Sequence, residues 1–178
     1  MARRLILGFI CGAFLGWGYD YIHVYFGVLS YAHPHFAGTS VWVAFEFGGA
    51  ACAGILGAQA LARRVAAPAV TAKRFGFDAL LLLVAYLLTG LFAYHNQLTF
   101  ALLLGVAFVS VLTRPVRFIW IASAFAAIAG PISETFVSAT GFFHYNVASP
   151  VPFWLPLLWV IAAGLFIDFA IAQPRALV

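Results

Sequence analysis

The chain has 178 residues, of which 65% are hydrophobic and 8% are charged, and its mean hydropathy is +1.05. This composition excludes a water-soluble globule, because too few polar residues remain to cover its surface. A membrane-spanning helix needs about 20 mainly apolar residues, so six such helices nearly fill the chain. We therefore expect one transmembrane domain over residues 1–178. The net charge of +4 indicates orientation in a membrane rather than nucleic-acid binding.

Six apolar stretches predict six transmembrane helices in an all-α membrane protein. Their expected bounds are 5–26, 39–61, 75–93, 97–113, 117–140 and 153–172. Lys and Arg lie only before the first stretch, in alternate gaps and after the last: Arg3, Arg4, Arg63, Arg64, Lys73, Arg74, Arg114, Arg117 and Arg175. By the positive-inside rule, both termini are expected in the cytoplasm. The first stretch lacks a small-residue cleavage site, so it is interpreted as a helix and not a removed signal.

Small residues recur every four positions in the first two predicted helices. The first ridge is Gly8, Gly12 and Gly16, and the second is Gly49, Ala53 and Gly57. Such ridges let helix backbones approach closely in lipid. Packing within one protomer is favoured for both, and a homo-oligomer interface is the alternative. Cys11 and Cys52 lack a CxxC spacing and are predicted to be packing residues.

Pro131 lies inside the fifth predicted helix. A proline there removes a backbone hydrogen bond and should kink the helix, which opens space on one side of the bundle. We therefore expect a cavity beside this helix.

Two carboxylates near the cytoplasmic ends of helices are predicted to form ion pairs. Asp78 follows Arg74 by four residues, which places the two side chains together on a helix. Asp168 could be reached by Arg175 or by a neighbouring loop arginine. A structural role is favoured for both carboxylates.

The other three carboxylates are the candidate functional residues. Asp20, Glu46 and Glu134 fall in the outer halves of the first, second and fifth helices, with no Lys or Arg on that side. Because a charge within a bilayer is costly, such a residue is a functional hypothesis by default. If they converge, they could bind a metal with nearby histidines, stay protonated and donate to a polar lipid headgroup, or satisfy backbone groups freed by Pro131.

The metal hypothesis has weak support in the sequence. His33 and His35 flank a proline, but a lone HxH pattern is a weak signal. The HxxxH, HxxHH and HExxH boxes of membrane metalloenzymes do not occur in the chain. No metal and no other cofactor is therefore predicted.

Four segments, in the same order, resemble the Insig (insulin-induced gene) family. They are RRLILGF at residues 3–9, SVWV with the following GGA at 40–50, NQLT at 96–99, and GFFHY with the later FWLP at 141–156. The resemblance covers nearly the whole chain and suggests a prokaryotic homologue. It implies a six-span lipid-binding protein, not an enzyme, with no catalytic residues.

The resemblance also implies a ligand and its contacts. Gln97 matches the family's ligand-contacting glutamine, and Trp42 and Trp154 match family aromatics. With Glu46 and Glu134, they form the expected lipid-binding set. Family members hold a sterol-like ligand in the endoplasmic reticulum membrane. In a prokaryote the membrane would be the plasma membrane, and a diacylglycerol-like lipid is at least as good a candidate.

One departure from the family bears on partners. The family's fourth helix ends in an acidic residue that engages a sterol-sensing membrane protein, whereas Thr113 and Arg114 stand here. This argues against such a partner, while a homo-oligomer remains an expectation.

The alternative function is a membrane enzyme acting on an isoprenoid or carotenoid through intramembrane carboxylates, because Glu134 ahead of Gly141 and Tyr145 is similar to loops of such enzymes.

Overall fold

The computed structural model describes residues 1–67, 70–114 and 116–171, which form six α-helices and two short β-strands. The elements are α1 (Ala2–Tyr25), β1 (Leu29–Tyr31), α2 (Trp42–Ala62), α3 (Ala72–Leu91), α4 (Asn96–Leu112), α5 (Arg117–Ala139), β2 (Phe143–Tyr145) and α6 (Leu155–Ile171). Each predicted helix bound differs from the observed one by three residues or fewer. Arg175 lies outside the described residues.

Four of the helices, α1, α2, α3 and α5, are long and apolar enough to cross a membrane. The other two, α4 and α6, are apolar but have 17 residues each, or about 25 Å at 1.5 Å per residue. The prediction of an all-helical integral membrane protein is confirmed.

The bundle is organised around α6, which packs against each of the other five helices. Ten residues of α6 are buried, spread over its whole length. Trp154, immediately before the helix, is fully buried as well. The sequence of α6 has no polar face, which is typical of a central helix that packs against apolar residues on every side.

The glycine ridge of α1 packs against α2 within the protomer, as predicted. A Cβ atom at Gly12 would lie 2.5 Å from Ala51 Cβ and 2.8 Å from the backbone oxygen of Phe47. The helices meet this closely because those side chains are absent.

The prediction that the α2 ridge also packs inside the protomer is wrong. Gly49, Ala53 and Gly57 are all exposed, and among the described residues nothing lies within 4 Å of a Cβ built at Gly49 or Gly57. The face of α2 that meets α1 carries Phe47 and Ala51 instead, so the two ridges do not face each other.

The two outer connections, which were predicted as loops, pair as antiparallel strands. Ser30 lies opposite His144, and Tyr31 lies opposite Phe143. The pair joins the end of α1 to the end of α5. Strands of three residues give too short an alternating pattern to be recognised in a sequence.

The opposite end of the bundle contains a buried ion cluster. Arg74 Nη2 donates to Asp78 Oδ1 over 2.6 Å, and Arg114 Nη2 donates to Asp78 Oδ2 over 2.6 Å. Arg114 also donates to Asp168. The predicted pairs of Asp78 with Arg74 and of Asp168 with a loop arginine are confirmed, while the Arg175 alternative falls outside the described residues.

Candidate functional site

A cavity lies beneath the β1–β2 pair, and Asp20, Glu46 and Glu134 line it together. It encloses about 690 Å³, counted out to its open mouth. We call it the polar compartment. Its other lining residues are His23, Leu29, Tyr31, Phe47, Ala50, Tyr86, Ser133, Phe143, Tyr145, Leu158 and Trp159. No Lys or Arg belongs to this lining among the described residues, so His23 is the one basic side chain that the described lining contains.

Tyrosines from the paired strands hold two of the three carboxyl groups. The Tyr31 hydroxyl donates a hydrogen bond to Asp20 Oδ2, and the Tyr145 hydroxyl donates one to Glu134 Oε2. Trp159 Nε1 donates to Glu134 Oε1 over 2.7 Å. Glu134 is therefore engaged at both oxygens, whereas Asp20 is engaged at one.

The two carboxyl–tyrosine pairs are built by the same local sequence. In each, a carboxylate near the end of a helix is followed seven residues later by a glycine and eleven residues later by the tyrosine. The glycines, Gly27 and Gly141, have φ values of +69° and +79°, a left-handed conformation that glycine adopts without a Cβ clash. Each glycine turns the chain from its helix into the strand that returns the tyrosine over the carboxyl group.

The two tyrosine hydroxyls keep their protons at neutral pH. Burial raises the pKa of Tyr31 well above its ordinary value, and the Asp20 carboxyl beside it raises it further. Burial and the neighbouring Glu134 raise the pKa of Tyr145 in the same way. Because both groups remain protonated, both can act as hydrogen-bond donors.

Glu46 differs from the other two carboxyls because no side chain or backbone group in the described part of the chain donates to it. It is half-buried on α2 and lines the polar compartment. The second oxygen of Asp20 also receives no hydrogen bond from the described residues, although Asp20 is only 5% exposed. These oxygens are the acceptors that a ligand in the compartment would meet.

His23 is hydrogen-bonded to its neighbours through Nε2. Its Nε2 lies 2.7 Å from Thr89 Oγ1, and that hydroxyl donates its hydrogen to the carbonyl oxygen of Tyr86 over 2.8 Å. A hydroxyl carries one hydrogen, so His23 must be the donor at Nε2. The ring is 2% exposed and is a hydrogen-bonded core residue.

The other histidines do not join the carboxyls. His33, His35, His95 and His144 are exposed. Among the described residues, no group of three or more His, Cys, Asp and Glu side chains is placed to hold a metal ion.

A second cavity adjoins the first and is almost entirely apolar. We call it the apolar compartment; it also encloses about 690 Å³ out to its mouth. The two compartments share Phe47, Tyr86, Glu134, Leu158 and Trp159. Its remaining walls come from the glycine ridge of α1 and from apolar side chains of α2, α3 and α6. The two compartments together offer one polar end and one apolar end.

Pro131 lies beside these compartments, inside a helix that continues through it. Ser133 and Glu134, in the turn that follows the proline, line the polar compartment. The Ser133 hydroxyl donates to the Gly130 carbonyl over 2.7 Å, and the Thr135 hydroxyl donates to the Pro131 carbonyl over the same distance. Neither of these carbonyls is that of Ala127, which loses its helical N–H donor at Pro131.

Of the five residues predicted to bind lipid, the structure brings Glu46 and Glu134 to the cavity. Gln97 is exposed in the first turn of α4. Trp154 is buried and donates through Nε1 to Asn96 over 3.0 Å, and Trp42 packs its ring edge-on to Tyr31. These three residues line neither compartment of the described structure.

The sequence interpretation gave no site role to Tyr31 and Trp159, and it named Tyr145 only for the alternative enzyme function. The repeated spacing of carboxylate, glycine and tyrosine is a signal that would have identified the two tyrosines. Trp159 lies 25 residues beyond Glu134 on α6, and no local pattern links them.

The helices are arranged in an Insig-like fold, so the predicted resemblance is confirmed at the level of the fold. The chain superposes on the crystal structure of MvINS, a mycobacterial Insig homologue from Mycobacterium vanbaalenii, with a TM-score of 0.81 and 21% identity. The match covers 98% of this chain and 97% of that one. MvINS solved as a cross-linked trimer matches equally well. No family model and no curated protein matches the chain.

Proposed function

We propose that this protein is a non-catalytic membrane protein that binds a sterol-like or diacylglycerol-like lipid within the bilayer. The observation that carries the proposal is the pair of adjoining compartments, one lined by carboxyls and one by apolar side chains. An amphiphile with a small headgroup fits this division.

The apolar compartment would supply most of the binding free energy, at about 0.8 kcal/mol for each buried methylene group. The polar compartment would set selectivity through hydrogen bonds worth about 1 kcal/mol each. Glu46 and Glu134 are the proposed headgroup contacts. Gln97, Trp42 and Trp154 stay predictions from family resemblance.

We also propose six membrane spans with both termini in the cytoplasm. The Lys and Arg pattern of the sequence supports this topology, with α4 and α6 crossing despite their 17 residues. A bilayer can thin locally around short helices at modest cost. If the source is prokaryotic, the membrane is the plasma membrane.

A homo-oligomer is proposed on two grounds. MvINS has been crystallised as a cross-linked trimer. In this chain, the small-residue ridge of α2 is exposed, and such ridges allow close helix contact between protomers in lipid.

The experiment that tests the proposed function is native mass spectrometry of the purified protein with analysis of co-purifying lipids. Ala162 lines the apolar compartment, so Ala162→Phe should fill it and displace a retained neutral lipid. Ala101→Phe makes the same change on the exposed face of α4 and serves as the matched control. Retention of bulk phospholipid alone, or equal lipid occupancy in both variants, would contradict the proposal.

One observation favours the isoprenoid or carotenoid enzyme as an alternative, namely the convergence of three carboxyls in one cavity. In such an enzyme, Glu134 would donate a proton to the substrate. Glu134→Gln should then abolish product formation, whereas a binding protein would keep its ligand with altered affinity. Recovery of a chemically altered isoprenoid with the wild-type protein would favour the enzyme.

A further inference from the structure

The three carboxyl groups of the polar compartment differ in how far the protein itself satisfies them. Both oxygens of Glu134 accept hydrogen bonds from aromatic side chains. Asp20 is 5% exposed, yet it accepts from Tyr31 at one oxygen only. Glu46 accepts none from the described residues. One oxygen of Asp20 and both oxygens of Glu46 are therefore open to a ligand.

No basic side chain of the described lining offsets these carboxyls. The lining contains no Lys or Arg, and His23 is committed to Thr89. A buried carboxylate without a counter-charge is strongly disfavoured. A primary ammonium carries three N–H donors and no acceptor, which matches three open acceptor oxygens and supplies the missing positive charge.

Aromatic rings complete the environment that a cation prefers. Tyr31, Tyr86, Phe143, Tyr145 and Trp159 all line the polar compartment. The faces of such rings attract ammonium groups, more strongly where water is excluded. A phosphate would instead meet three carboxyls and no basic group, so phosphate-bearing headgroups are disfavoured.

We propose that the polar compartment selects an amphiphile whose polar end is a primary ammonium without phosphate, and whose hydrocarbon body lies in the apolar compartment. This inference rests on the proposed lipid-binding function and names the headgroup class of the same site. Glu46 is the main residue that determines the specificity of the polar compartment, and Asp20 contributes a further acceptor. Glu134, which is already hydrogen-bonded at both oxygens, forms part of the wall.

The test compares three lipids with identical pairs of oleoyl chains, differing only at the headgroup. They are diacylglycerol with its free hydroxyl, the same lipid with a primary amine in place of that hydroxyl, and phosphatidic acid. Binding to the full-length protein in detergent is measured by native mass spectrometry. The wild-type protein should bind the amine about tenfold more tightly than the hydroxyl lipid, because hydrogen bonds between charged groups are the stronger ones.

Glu46→Gln should reduce that preference to within about threefold, since the charge is lost while the shape is kept. Gln59→Ala, on the same helix as Glu46 but outside both compartments, is the control and should leave the preference unchanged. If Glu46→Gln fails to fold, judged by thermal unfolding, Asp20→Asn replaces it with the same expected direction.

The outcomes separate the headgroup inference from the proposed function. Hydroxyl lipid bound as tightly as amine, or phosphatidic acid bound most tightly, overturns the ammonium inference and leaves lipid binding intact. An amine preference that survives both carboxyl substitutions also overturns it. If none of the three lipids binds, the proposed function itself fails.

Discussion

Arg114 bridges two carboxylates that belong to different helices. Its side chain is 7% exposed and contacts Asp78 on α3 and Asp168 on α6. Asp78 also pairs with Arg74. Among the described residues, Asp168 pairs only with Arg114. Gly164 permits this approach, since a Cβ there would lie 3.0 Å from Arg114 Nη2. Asp168 therefore depends on Arg114 for its charge balance.

Arg114→Met should lower the free energy of unfolding by about 3–5 kcal/mol, because it leaves Asp168 as an uncompensated buried charge. Adding Asp168→Asn to this variant should recover most of the loss, while the Arg74–Asp78 pair persists. Unfolding in mixed detergent micelles measures both changes. Arg3→Met, at an exposed position, is the control and should have little effect. A double variant no more stable than Arg114→Met would contradict this account.

At the scale of elements, the contact between α1 and α2 depends on the absence of side chains on α1. The Cβ that alanine would add at Gly12 meets another Cβ and a backbone oxygen. Neither atom can move aside by a side-chain rotation, so the two helices would have to separate. The exposed ridge of α2 has no such neighbour among the described residues.

Gly12→Ala should therefore lower the free energy of unfolding by about 1–3 kcal/mol, the usual cost of overpacking. Gly105→Ala makes the same change at an exposed position of α4, where nothing described lies within 4 Å of the added Cβ. It should leave the free energy of unfolding unchanged or slightly higher, because alanine favours a helix more than glycine does. The two variants are compared by thermal unfolding in the same detergent. Equal effects of the two substitutions would show that the ridge of α1 does not set the helix contact.

The helices were predictable from the sequence because each is a continuous apolar stretch, bounded by charged residues, glycine, proline or the short polar turn at residues 94–96. The strands were not, since three residues give no period, and their register depends on the ends of two distant helices. Asp20, Glu46 and Glu134 could be selected as polar residues in apolar stretches. Their convergence needed the packing of α1, α2 and α5, and no local pattern specifies it.

At the scale of the whole molecule, the polar groups at the two ends of the bundle differ in their charge balance. One end holds the ion cluster, in which two arginines and two aspartates neutralise each other. The other holds the carboxyl-lined compartment beneath the β1–β2 pair. In the proposed topology, the end of the bundle that holds the ion cluster and the Lys- and Arg-containing connections faces the cytoplasm. The headgroup of a ligand in the polar compartment would then lie in the outer half of the membrane. This is the one orientation in which each end matches its surroundings.

Cysteine labelling in intact cells tests this orientation and the crossing of the short α4. In a chain with Cys11 and Cys52 replaced by alanine, single substitutions are made at exposed positions on both predicted sides. His35→Cys and Tyr94→Cys should react with a membrane-impermeant maleimide, because the proposed topology places the outer connections away from the cytoplasm. Lys73→Cys and Arg117→Cys should react only after permeabilisation.

Equal labelling of Tyr94→Cys and Arg117→Cys in intact cells would mean that α4 does not cross the membrane. A C-terminal epitope tag, inaccessible until permeabilisation, tests α6 in the same way.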